Sequence, residues 1–233
     1  MSVQFEPLSD YRERYSDRAV LVGSGPTLFD YTKLSELNCP VFFINDTVAF
    51  EKYVECDSFF STHHRPLFTE KVFRSKFLYP LSYLRPEIEH PYRHSLGPFV
   101  NSIPYQLVTH CTKQENDDNV PISCFPFWSK DRDWIDETGW LLGHTGSITS
   151  TIHFIWYCGF TELTLIGCNP VYVENHHHDS RISATSGRKG SLWDLPAIIE
   201  NQKRFLDHFE FKLTYTGDFE YWKTTNHPSS LPQ

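Results

Sequence analysis

Three stretches of the sequence combine residue types that can bind or activate a polar ligand. The turn GSGP, residues 23–26, closes the apolar run Val20, Leu21, Val22. Gly23 and Gly25 permit close or positive-φ backbone, Ser24 adds a hydroxyl, and Pro26 favours the start of a turn or helix, whose unpartnered amides suit a phosphate. In HTGSITS, residues 144–150, His144, Thr145, Ser147 and Ser150 flank Gly146 just before a long apolar stretch. A helix opening there offers hydroxyls and backbone N–H groups to phosphate at one place. In YVENHHHDSR, His176, His177 and His178 share a polar segment with Arg181, and Lys189 follows. A neutral imidazole can take the proton of a hydroxyl, while a nearby cation offsets charge on an anionic leaving group.

Each stretch also has a plainer reading. GSGP lacks the third glycine of G-x-G-x-x-G and the G-K-[ST] ending, so a structural turn and a ligand contact both fit it. Asn45, at the end of a second apolar run, can hydrogen-bond a base, ribose or sugar hydroxyl, and can equally cap a helix; Asp46 reads as a cap or ion-pair partner. Ser147 serves as a cap or a phosphate ligand, and without G-x-S-x-G it is not read as a nucleophile. The three histidines can supply a base, belong to a polar surface loop or, with Asp179, His63, His64, His90 and His94, bind a metal. No H-E-x-x-H or recurrent Cys/His spacing is present, and three consecutive side chains do not converge from one regular element, so a metal-dependent hydrolase is the weaker enzyme hypothesis.

The elements needed to position these residues are legible as short apolar runs. RAVLV, PVFFIND and DSFFSTHH each end in polar or turn residues, and TVAFEKYVE after the second is compatible with a helix. Later come the short run YQLVT, an apolar helix after HTGSITS, a strand over Leu163 to Ile166, a helix over Leu195 to Phe209 and a terminal strand FKLTY, with weak periodicity between Pro80 and Trp140. The expected fold is α/β: a single Rossmann-like domain over 1–233, with a mostly parallel central sheet flanked by helices and a loop or lid over 174–193. Open sheets of this kind hold ligands beyond their carboxyl edge.

Composition excludes several classes. Against 29 acidic residues stand 21 basic ones, for a net charge of −8, which argues against nucleic acid or an anionic membrane as a partner. No apolar run is long enough to span a bilayer and the acidic start resembles no signal peptide, so the expected compartment is cytoplasmic. The six cysteines lack dense or C-x-x-C spacing and read mostly as buried reduced thiols. Oligomeric state is left open.

Taken together, VLVGSGPTL, FFIND and TGSITSTIHFIWYCGFTELTLIGCNPVY resemble the bacterial sialyltransferases that use a cytidine-monophosphate sugar, and related Rossmann-like proteins, over about Arg18 to Tyr172. The resemblance implies a glycosyltransferase that moves a sugar from a nucleotide-activated donor, CMP-sialic acid in that family, to a glycan or other hydroxyl-bearing acceptor, with no cofactor required. It places Gly23, Ser24, Gly25 and Pro26 at the nucleotide, Asn45 at the nucleotide sugar and Ser147 at phosphate or donor sugar. Thr62 stands where the family often has Asn, and Asn169 and Tyr172 fill the place of an acidic residue and a tyrosine in another register. The family's late catalytic histidine has no counterpart between Gly187 and Leu195, which leaves His176, His177 and His178 as candidates for one base. A noncatalytic nucleotide- or glycan-binding protein is the alternative.

Overall fold

The computed structural model describes residues 4–23, 29–61, 73–80, 101–108, 130–142, 147–168 and 206–215. Among them nine strands form one sheet: β1 (Gln4–Phe5), β2 (Arg18–Val22), β3 (Val41–Ile44), β4 (Ser58–Ser61), β5 (Lys76–Pro80), β6 (Asn101–Val108), β7 (Trp140–Leu142), β8 (Glu162–Ile166) and β9 (Lys212–Tyr215). Their order is β1-β6-β5-β4-β3-β2-β8-β9, with β7 also on β6. Every ladder between described strands is parallel, so the architecture is Rossmann-like α/β.

The strands read as unbroken apolar runs because both faces are covered. Ala19 and Leu21 of β2, Phe42 and Ile44 of β3, and Phe59 of β4 enter one core cluster, while Val20, Val22, Val41, Phe43 and Phe60 enter the other. On the first face lies α2 (Ser147–Tyr157), whose Phe154 ring stands 5.7 Å from Phe59 and 6.1 Å from Phe42. Such aromatic pairs contribute about 0.5–1.5 kcal/mol each beyond area burial. The second face is covered by 3-10 segments, Tyr31–Leu37 and Asn45–Tyr53, with Tyr31 stacked on Phe50 at 3.9 Å.

The run after β3 thus winds as 3-10 turns beginning at Asn45, earlier and tighter than TVAFEKYVE suggests. Likewise β6 begins at Asn101, four residues before YQLVT. Pro104 hides that strand in sequence, since proline cannot donate to a ladder. On the side away from β5, β1 pairs with Asn101 and Ser102 and β7 with Gln106 to Val108, so no described strand pairs with Pro104 there, while Tyr79 of β5 is its register partner on the other side.

A short helix, α1 (Arg132–Thr138), precedes β7. Asp131 caps it by accepting from Asp133 and Trp134 N–H, and Gly139 ends it at φ +66°. From its first turn Arg132 donates to the Trp156 carbonyl at 3.0 Å and lies 4.1 Å over the Trp156 ring, capping the last turn of α2.

Candidate functional site at the carboxyl edge

From β2 the chain steps outward through β3, β4, β5 and β6, then returns to place β8 and β9 on the other side of β2. The strand order therefore reverses between β2 and β8, and the carboxyl ends around that point are where an open parallel sheet holds its ligand.

Gly23 leaves β2 at this reversal, its N–H donating to the Ile166 carbonyl at 2.8 Å. A Cβ there would stand 2.6 Å from the Gly167 carbonyl oxygen and 3.1 Å from Cys168 Sγ, so the exit of β8 itself requires glycine at 23. Cys168 is buried beside Gly23 with Sγ 3.5 Å from the Leu21 and Ile166 carbonyls. Burial pushes its thiol up to about 12 despite backbone hydrogen bonds from Gly23 and Ile166 that lower it. It is a neutral plug at physiological pH, not a nucleophile.

Asn45 follows β3 with φ +55°, a left-handed conformation that Asn tolerates better than most residues. The hydroxyl that closes its turn belongs to Thr47, which accepts the Ile44 N–H at 3.1 Å and shares its hydrogen between the Val22 carbonyl at 2.9 Å and the Ile44 carbonyl at 2.8 Å. Thr47 thereby ties the Asn45 turn to the end of β2.

The start of α2 lies at the same edge. The helix follows the carboxyl end of β7, and its far end sits at the amino edge, where the Tyr157 and Cys158 carbonyls accept from Glu13 and Tyr15 N–H. Eleven residues rise about 16 Å, the length of the strands it covers. Ser147 opens it, and Thr149, Ser150 and Thr151 are buried.

Sequence reasoning missed Ser61. It ends β4, is 1% exposed, and its Oγ meets no hydrogen-bond partner among the described residues. By strand alternation it points to the side of Phe59, the α2 side, two residues nearer the carboxyl edge. Ser150 lies one helical turn from Phe154 in the same direction, so Ser61 belongs to the floor beneath the start of α2. A polar residue closing an apolar run was the available signal, and it pointed equally to Thr62.

The structure brings Gly23, Asn45 and the Ser147 helix start to one edge. Ser24, Gly25, Pro26, Thr62, Asn169, Tyr172, His176, His177 and His178 lie outside the described residues. Among the described residues no three His, Cys, Asp or Glu side chains group as a metal site, and no helix is long and apolar enough to cross a membrane. A cleft of about 430 Å³ opens at the opposite, amino edge, lined by Glu55, Cys56, Asp57, Ser58, Arg74 and Lys76. Its cations are engaged within the protein: Arg74 with the Glu51 and Val54 carbonyls, Lys76 with Glu6 at 3.0 Å and the Tyr11 hydroxyl at 2.7 Å.

Compared with models of protein families, with curated proteins and with solved structures, the chain matches none.

Proposed function

We propose that the chain is a sialyltransferase-like glycosyltransferase that takes a CMP-linked sugar and transfers the sugar to a hydroxyl of a glycan or another acceptor. One observation carries the reading: Gly23, Asn45 and the hydroxyl-rich start of α2 share the carboxyl edge where the strand order reverses. The fold alone is compatible with many nucleotide-binding proteins, and the choice of donor rests on the resemblance of the three sequence blocks. In this reading donor phosphate meets the amides around Gly25 and the Ser147 hydroxyl, and Asn45 hydrogen-bonds the nucleotide sugar. Ser24, Pro26, Thr62, Asn169 and Tyr172 complete the pocket. One of His176, His177 and His178 accepts the acceptor hydroxyl proton as the acceptor oxygen bonds the anomeric carbon. The bond from that carbon to the phosphate oxygen breaks, and CMP departs with the electron pair.

The test is incubation of the full chain with CMP-sialic acid and a panel of glycan acceptors, reading sialylated product and released CMP. Product that falls at least tenfold in Ser147→Ala supports the reading. Neither donor binding nor turnover overturns it, and binding without hydrolysis or transfer returns the noncatalytic alternative.

A further inference from the structure

Two cysteines meet at the amino edge, away from the proposed donor site. Cys39 precedes β3 by two residues and Cys56 precedes β4 by two, and the register Val41↔Ser58 continues toward them through the Val41 N–H to Asp57 carbonyl bond of 3.0 Å. Register neighbours on adjacent strands lie ~4.8 Å apart, inside the ~4.4–6.8 Å Cα window of a disulfide. Both side chains pack against the same core cluster. The Cys56 thiol donates to the Cys39 carbonyl, which sets its sulfur beside the other residue.

The pair is also differentiated. Cys56 is half-buried and lines the amino-edge cleft, whereas Cys39 is buried. Burial raises the Cys39 thiol, and the Arg18 side chain partly opposes that shift. Burial raises Cys56 as well, and the Cys39 thiolate would add to that. Cys158 and Cys168 are buried elsewhere, and no third described ligand joins the pair to make a metal site.

We propose that Cys39 and Cys56 form a reversible dithiol–disulfide pair, closed by a small disulfide oxidant such as glutathione disulfide. The Cys56 thiolate attacks one glutathione sulfur, the glutathione S–S bond breaks, and one glutathione leaves as thiolate and takes up a proton. The Cys39 thiolate then attacks the Cys56 sulfur of the mixed disulfide and releases the second glutathione. Two protein thiols have lost two hydrogens with their electrons, and glutathione disulfide has become two glutathione molecules. The product joins the beginnings of β3 and β4 covalently.

The full chain, equilibrated in buffers of graded oxidised-to-reduced glutathione, is digested without reduction and mapped by mass spectrometry. The expected result is one crosslinked peptide containing Cys39 and Cys56, lost on treatment with dithiothreitol. In Cys39→Ser, Cys56 should instead accumulate glutathione. Oxidation should raise Tm in the unsubstituted chain and not in Cys39→Ser. The proposal is overturned if Cys56 of the unsubstituted chain holds glutathione while Cys39 stays reduced, if Cys56 pairs with Cys111 or Cys124, or if both thiols persist in the most oxidising buffer. The map of the unsubstituted chain decides the matter even where a variant folds poorly.

Discussion

Gly23 and Gly167 approach so closely that a single added carbon on Gly23 would lie 2.6 Å from the Gly167 carbonyl oxygen. Gly23→Ala must therefore push the exits of β2 and β8 apart. It should cost about 1–3 kcal/mol, the usual range for overpacking, with a lower urea midpoint. Gly139→Ala meets nothing within 4 Å at φ +66° and should cost only the left-handed penalty of about 1–2 kcal/mol. An unchanged midpoint in Gly23→Ala would show that the two exits separate freely.

Asn45 carries a backbone demand and a proposed ligand contact together. Asn45→Ala should lose stability because its φ is +55°, whereas Asn45→Gly removes the amide and keeps the backbone freedom. Both should weaken donor binding by calorimetry, and Ala should lower the unfolding midpoint more than Gly, because only Ala adds the left-handed backbone penalty. Wild-type donor affinity in Asn45→Gly would remove the Asn45 amide from the donor site.

Ser61 predicts opposite signs in the empty and occupied protein. Its buried hydroxyl has no partner among the described residues, so Ser61→Ala should unfold at an equal or higher denaturant concentration. If the hydroxyl meets the donor, the same change should weaken binding by about two- to tenfold, the worth of one hydrogen bond. Lost stability together with full affinity would remove Ser61 from the site.

Three tyrosines donate to carboxylates: Tyr11 to Glu6, Tyr15 to Asp57 at 2.6 Å, and Tyr157 to Asp136. Burial first, and the carboxylate second, holds each hydroxyl well above its ordinary value. A folded value above the unfolded one means that these contributions are complete below the unfolded value of about 10 and vanish as alkali ionises the hydroxyls. Denaturant stability should fall as pH rises beyond that point. Near-ultraviolet titration should show at least these three hydroxyls ionising only on unfolding; ionisation of all 12 tyrosines in the intact fold would contradict this.

The core strands were legible because doubly covered strands announce themselves as short apolar runs, as in Val20 to Val22 and Val41 to Ile44. The edge of the sheet was not. Gln4–Phe5 is too short for periodicity and Pro104 argues against the strand it occupies. α1 carries both a starting Asp131 and a terminating Gly139, yet its seven residues give a weak helical period. The candidate site was legible at Gly23, Asn45 and Ser147, whose types advertise turns and helix starts. Ser61, Thr47 and the Cys39/Cys56 pair depend on which strands become neighbours, and that information lies in register.

The reversal between β2 and β8 also sets a temporal order on folding. Leu21 and Cys168, in contact beside Gly23, are 147 residues apart along the chain. β2 to β5 can assemble on shorter loops, whereas the crevice exists only after that long closure, and contacts of such separation form slowly. On a translating ribosome, the half of the sheet bearing Asn45 and Ser61 is synthesised well before β8, so the proposed donor pocket would be among the last parts of the molecule to mature.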